Sequence, residues 1–310
     1  MQAFLRRLLG VVLVLLGVNL LVFIVLRIIP GSPASVLLGE HTSEEAVKRL
    51  TESMELDKPF AVQFFTYLKN AARGDLGQSY YMKQPVLNLI LDAFPNTLKL
   101  TLLSAAFAWI FGIMAGIISA MYPGKFPDNL FRGISLLGIS VPVFMVALSL
   151  QYLMYFKLSL LPLMYNGSFM SMVLPAVALG WNSAGSIARL TRLGLMEQAE
   201  APYLDTARAK GLTSRTALLT HGLRNAIIPV VTMMALQLSS MLSGAVITES
   251  IFGISGLGKL ALTAVQTRDM PLLMGTVLFS AFVISLGNII ADLLNTVLDP
   301  RLRSRAEAEA

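Results

Sequence analysis

Apolar residues dominate six stretches of the chain, 8–26, 97–121, 134–156, 172–188, 226–247 and 272–294. Each is close to the roughly 20 residues that a helix needs to cross a bilayer. The pattern predicts an all-α membrane protein of six transmembrane helices, with residues 1–310 forming a single transmembrane domain. Between the first and second spans the pattern changes, and 30–95 reads as a small external helical lobe. Within it "TSEEAVKRLTESMEL" offers Thr42 or Ser43 as an N-cap, Glu44 and Glu45 in the first turn, and Ala46, Val47, Leu50 and Met54 at helical spacing. "KPFAVQFFTYLKNAARG" repeats the pattern, with Pro59 near a helix start and Gly74 beyond its end. The first apolar run follows Arg6-Arg7 but is longer than a signal core and lacks an A-x-A site, so it is expected to stay as a span.

The spans differ in what they carry. In the second, Ser104, Ala108, Gly112, Gly116 and Ala120 recur every fourth residue, a ridge that permits close helix approach. Internal packing is the favoured use, a subunit interface the alternative. No Asp, Glu, Lys or Arg falls in the middle of a span, which argues against proton-coupled transport. The polar residues there are amides: Asn19, Gln151, Asn182, Gln237 and Asn288. Asn182, Gln237 and Asn288 are candidates for lining a translocation path, with bonding between helices as the other use.

Composition agrees with the pattern. The chain is 55% hydrophobic and 14% charged, against about 25% charged in soluble domains. Without Cys, disulfides and thiolate metal sites are excluded, and with only His41 and His221 a multi-histidine metal centre is not expected. The net charge of +6 is explained by membrane topology, and no nucleic-acid partner is expected. Arg6, Arg7, Lys125, Arg132, six basic residues from Arg189 to Arg224, and Arg301, Arg303 and Arg305 fall on one side. The short opposite loops hold Lys157, Lys259 and Arg268. Both termini are therefore expected in the cytoplasm. The lobe, too long to count, carries eight acidic and six basic residues.

Two segments invite chemistry. "FGISGLGKLA" nearly matches the phosphate loop G-x-x-x-x-G-K-S/T, but Leu260 replaces the magnesium-binding hydroxyl and a membrane helix precedes it in place of a strand. Gly253, Ser255, Gly256 and Gly258 are instead read as a tight, flexible external loop, a gate candidate, with a simple turn that packs the bundle's outer mouth as the alternative. The cytoplasmic segment 189–224 contains "EAPYLDTARAKGLTSRTALLTHGLRNAIIP". Pro202 suits a first helical position, Asp205 lies early, Arg208 and Lys210 late, and Gly211 can take the left-handed conformation that stops a helix. Thr213 can cap a second helix. A short helix between two spans can be a lever for a partner or a passive surface turn, and the residues alone leave both open.

Asp205-Thr206-Ala207, three residues, then Gly211 resembles the E-A-A-x-x-x-G signature of ATP-binding-cassette importer permeases. "YLDTARAKGL" followed by "HGLRNAIIPVVT" is more similar to the dipeptide, oligopeptide and nickel branch, B-type subunit. "RIIPGSP", "GDLGQSY", "FPNTLKLT", "LPAVALG", "SGLGKLA" with "TRDMP", and "LDPRLR" extend the likeness over nearly the whole chain. The resemblance implies a type I importer permease in a bacterial or archaeal inner membrane. It would form half of a pathway for dipeptides or oligopeptides delivered by an external substrate-binding protein. Nickel chelates, glutathione or another small solute are the alternatives, and a secondary transporter a distant one. It further implies a C-type second permease and two cytosolic ATP-binding subunits that hold ATP and Mg, so this chain needs no cofactor, metal or catalytic residue. The short helix would dock into the ATPase through Tyr203 and Ala207 as packing contacts and Asp205, Arg208 and Lys210 as polar ones, with Gly211 setting the exit angle.

Overall fold

The computed structural model describes residues 2–28, 44–53 and 57–298. Among them every regular element is helical, and extended pairing is limited to one bridge between Gln78 and Pro85. In chain order, α1 is Gln2–Ile28, α2 Glu44–Ser53, α3 Phe60–Ala71, α4 Val86–Met121 and α5 Phe126–Ser140. α6 is Val143–Gln151, continued by a π turn at Tyr152–Lys157; α7 is Phe169–Ala199 and α8 Pro202–Ala209. α9 is Ser214–Ala217 with a π turn at Leu218–Gly222, followed by α10 Leu223–Phe252, α11 Leu257–Gln266 and α12 Met270–Leu298. The expected cap at Thr42 or Ser43, Met54, His41, most of "RIIPGSP" and the arginines after 300 lie outside the described residues. The chain forms two compact units, Met1–Thr97 with Ser255–Ser285, and Leu98–Ile254 with Leu286–Ala310.

In the first unit, Val86 and Ile90 of α4, Leu257, Leu260 and Ala264 of α11, and Leu272 and Leu273 of α12 share one apolar core. Their three- and four-residue spacing gives each helix a single buried stripe. Gly275 allows α12 to close on α4, since a Cβ there would stand 2.5 Å from Val86 Cγ1. Aromatic packing joins α1 to α3, with Phe23 edge-on to Phe60 at 4.8 Å and tilted against Phe64 at 5.5 Å. α4 begins eleven residues before the expected start at 97 and passes through Pro95. A proline removes one helical hydrogen bond; the burial of Val86, Ile90 and Ala93 in the turns before it offsets that cost. Most of the expected lobe, 57–95, belongs to this unit together with α11.

In the second unit α7 is the central helix, with fifteen buried residues. The ridge on α4 is spent on it: a Cβ on Gly112 would stand 2.7 Å from Ile187, and one on Gly116 2.5 Å from Thr191. From the other side, a Cβ on Gly180 would stand 2.5 Å from the Ser104 carbonyl oxygen. Because the contact positions rise together on both helices, the two run parallel at backbone contact, and the ridge is internal packing.

Among the described residues three helices are long and apolar enough to cross a membrane, Val86–Met121, Ser214–Leu242 and Met270–Ala291. The bent pairs Phe126–Ser140 with Val143–Lys157 and Ala245–Phe252 with Leu257–Gln266 raise this to five if each is one span. The apolar part of α1, Leu9–Val25, is shorter. The expected span 172–188 lies in α7, where Gly180, Asn182 and Ser183 dilute the apolar run; a helix sheathed by its neighbours need not match lipid. The expected span 134–156 falls on two helices bent by 112° at the break between them. Pro142 is the cause. It cannot donate, and it holds Val141 extended at φ −86, ψ 126.

Candidate functional site

The segment between α7 and α10 is built as its residues suggest. Ala201 is extended, Pro202 opens α8, and Asp205 sits in its first turn. Gly211 stops it at φ 93. The Gly211 N–H donates to the Arg208 carbonyl at 2.9 Å and the Leu212 N–H to that of Ala207 at 3.3 Å, the two bonds of a Schellman ending. Thr213 then caps α9, its Oγ1 accepting from the Thr216 N–H at 3.3 Å.

α8 has an inner and an outer face. Leu204 and Ala207 point inward and share an apolar cluster with Leu195 of α7, Ala217 and Leu218 of the α9 region, and Ala226 of α10. Tyr203, Asp205, Thr206 and Lys210 are exposed. The expectation that Ala207 packs against a partner is therefore corrected: three residues from Leu204, it shares the buried stripe within this chain. Tyr203 stays outside, but its hydroxyl is engaged, donating to Gln198 Oε1 at 2.6 Å and accepting from Asn225 Nδ2 at 3.2 Å. Arg208 bridges Asp205 through Nη1 at 2.8 Å and donates from Nη2 to the Ala199 carbonyl at 3.2 Å. His221 is exposed on the π turn.

The glycine-rich stretch is pinned, which corrects the expected flexible loop. Gly253, at φ 70, ends α10, and a Cβ on it would stand 2.7 Å from Met164 Cε. Asn96 Nδ2 donates to the Ser255 carbonyl at 2.9 Å. Gly256 is extended and precedes α11, and the Leu257 N–H donates to Thr97 Oγ1 at 2.8 Å. Gly258 lies in the first turn of α11. A cleft of about 260 Å³ beside this turn is lined by Asp92, Asn96, Ser255, Gly256 and Lys259. Asn96 and Thr97, from "FPNTLKLT", are thus what hold "SGLGKLA". In the same way Asp269 of "TRDMP" caps α12 at the Leu272 N–H and accepts from Ser79 Oγ and the Tyr81 N–H of "GDLGQSY".

Of the three path candidates, Asn182 donates through Nδ2 to the carbonyls of Gly138 and Ile139 at 3.3 and 3.2 Å. These are among the carbonyls that the end of α5 leaves without helical donors. Gln237 is half-buried with a buried Oε1 that lacks a hydrogen-bond partner among the described residues, and Asn288 is exposed. No hydrogen bond among the described residues joins the three. Gln151 ties the end of α6 to the Leu163 carbonyl at 3.0 Å.

Sequence reasoning missed the most heavily bonded group in this unit. Asp128 of α5 is fully buried and takes Arg192 of α7 bidentately, Nε to Oδ1 at 2.7 Å and Nη2 to Oδ2 at 2.9 Å. Ser119 Oγ and the Gly124 N–H complete its shell. The signal was an acid in a first helical turn; its partner 64 residues on carried none. Glu249 was also missed. It falls two residues past the expected fifth span and is fully buried, in register with Ala245 and Phe252.

Comparison with known proteins gives the family of the chain. The family described as "Binding-protein-dependent transport system inner membrane component" matches residues 112–304, and its companion "Binding-prot-dependent transport system membrane comp, N-term" matches 1–101. The glutathione transport system permease protein GsiC of Escherichia coli (strain K12) is 37% identical over 298 residues, 96% of this chain and 97% of that protein. GsiC of Pectobacterium atrosepticum is 36% identical over 300 residues, 97% and 98% of the two chains. Among solved structures, a chain of the MetNI methionine ABC transporter in inward-facing conformations superposes with a TM-score of 0.56 at 18% identity, covering 68% of this chain and 96% of its own. An amino acid ABC transporter with histidines gives 0.54 at 21% identity, covering 67% and 94%. The chain belongs to the binding-protein-dependent inner-membrane components, as a permease subunit of an ABC importer of the dipeptide, oligopeptide and nickel type with the type I fold.

Proposed function

We propose that this permease forms one half of the translocation pathway for a short peptide, with a glutathione-like tripeptide first among the candidates and dipeptides second. The names and end-to-end match of the GsiC relatives favour that order. The other half is a C-type permease, an external binding protein delivers the solute, and two cytosolic subunits bind ATP and Mg. Both termini face the cytoplasm, as the bias of basic residues suggests.

The observation that carries the coupling role is the split of α8 into two faces. Leu204 and Ala207 fix the helix to its own chain, while Tyr203, Asp205, Thr206 and Lys210 are presented outward. A push on the outer face is transmitted to α7 and α10 because the inner face is packed on both. ATP-driven closure of the partner ATPases thereby favours the outward-facing state, and release of hydrolysis products restores the inward-facing one. ATP shifts this equilibrium only by its differential affinity for the two states. The test is ATP-dependent uptake in proteoliposomes holding both permeases, both ATPases and the binding protein. Labelled glutathione is expected to accumulate ahead of a labelled dipeptide, and accumulation of neither would overturn the substrate assignment.

A further inference from the structure

We propose that a cleft between α4, α5 and α7 binds the headgroup of an acidic phospholipid. It measures about 560 Å³ and is lined by Arg132 of α5 and Arg189 and Arg192 of α7, with Leu136, Ile139 and Leu193 as its aliphatic wall. Arg192 is spent on Asp128. Arg132 and Arg189 are exposed, and neither is paired with an acid among the described residues.

The helix register puts these two cations together. α5 and α7 run antiparallel with Asp128 against Arg192, Ser135 against Gly185 and Gly138 against Trp181, the last two at backbone contact. Between the first two of these contacts, Arg132 falls level with Arg189. Both guanidinium side chains line the one cleft, next to the neutralised Asp128–Arg192 pair. Unpaired cations at the ends of the expected spans 134–156 and 172–188 attract the anionic headgroups of the adjoining leaflet. A guanidinium pair matches the phosphodiester of a headgroup. The exposed aliphatic surface of Leu136 and Leu193, 62% and 49%, suits the start of acyl chains, which a free anion lacks. Basic pockets between membrane helices are known to take such headgroups. The site is independent of which solute is carried; the proposed topology matters only in making the leaflet the cytoplasmic one.

The whole transporter is titrated in detergent with phosphatidylglycerol or with phosphatidylcholine of the same chains, and bound lipid is counted by native mass spectrometry. Phosphatidylglycerol is expected to bind more tightly, and Arg132→Gln with Arg189→Gln to weaken it about thirtyfold, or about 2 kcal/mol at about 1 kcal/mol per cation. Each single variant is expected to lose about fivefold, which reads the site should the double variant fail to assemble. Arg132→Lys with Arg189→Lys keeps both charges and loses the guanidinium forks, and is expected to bind more weakly than the unaltered protein but more tightly than the double Gln variant. Equal binding of the two lipids, or unweakened phosphatidylglycerol binding by the Gln variants, overturns the proposal. So does displacement of phosphatidylglycerol by inorganic phosphate or glutathione at equal concentration, which would make the cleft a site for a free anion.

Discussion

Replacing Gly211 by Val tests the coupling helix at the point where its backbone geometry is most demanding. Gly211 has φ 93, and a Cβ built on it meets nothing within 4 Å, so the substitution adds no clash with a neighbour. Its cost is conformational. A β-branched residue held at positive φ is strained by about 1–3 kcal/mol. The strain is relieved only by opening the ending of α8, whose two bonds contribute about 0.5–1.5 kcal/mol each and run from Gly211 and Leu212 to Arg208 and Ala207. The two quantities are similar, so Gly211→Val leaves the helix end open or strained in a large fraction of molecules. Asn tolerates this region better, and Gly211→Asn is expected to keep most of the function. ATP-dependent uptake and ATPase stimulation by the loaded binding protein are measured in proteoliposomes, with assembly checked by size exclusion. The Val variant is expected to assemble normally and to lose uptake about tenfold or more, as follows from about 1.4 kcal/mol per tenfold; the Asn variant is expected to lose only a few-fold. Uptake by the Val variant equal to that of the unaltered transporter would refute the coupling role.

Three further perturbations probe packing and charge. Asp128→Ala strands the Arg192 guanidinium and is expected to cost about 3–5 kcal/mol in stability; Asp128→Leu with Arg192→Met should cost far less, both read from thermal unfolding in detergent. Gly116→Val drives a side chain into Thr191 Cβ and the Ala188 carbonyl, at 2.5 and 2.7 Å from the Cβ alone. It is expected to cost at least about 1–3 kcal/mol by overpacking, seen as a lowered Tm and reduced yield of assembled transporter. Leu204→Ala removes the inner anchor of α8 at about 2–5 kcal/mol, and is expected to uncouple ATPase activity from substrate while the transmembrane helices keep their protease resistance.

What was legible in the sequence is what depends on nearest neighbours. Pro202, Gly211 and Thr213 each act within four residues, and the start, end and successor of α8 follow from them. The ridge on α4 was legible as a close-packing face, but only the opposing Gly180, Ile187 and Thr191 show that α7 occupies it. Apolar runs at 97–121, 226–247 and 272–294 overlap the three helices long and apolar enough to cross a membrane, with starts displaced by up to about a dozen residues. They failed at Pro142, where the bend leaves hydropathy unchanged, and at α7, whose burial in protein relaxes the demand for apolar residues. Glycine composition misled at 253–258, since the rigidity of that stretch comes from Asn96 and Thr97, about 160 positions earlier. Ala207 shows the limit of reading faces on an eight-residue helix, for which two candidate stripes fit the same spacing.

The bend between α5 and α6 bears on how the protein is made. During synthesis the chain leaves the ribosome from its N-terminus, so the carbonyls of Gly138 and Ile139 enter the membrane before Asn182 exists; the amide that satisfies them follows 44 and 43 residues later. Until α7 arrives, the broken hairpin is an immature intermediate that depends on water or the insertion machinery at its corner. The corner is therefore completed only once residue 182 has been made, so the order of synthesis leaves its helix end open for the length of some 44 residues.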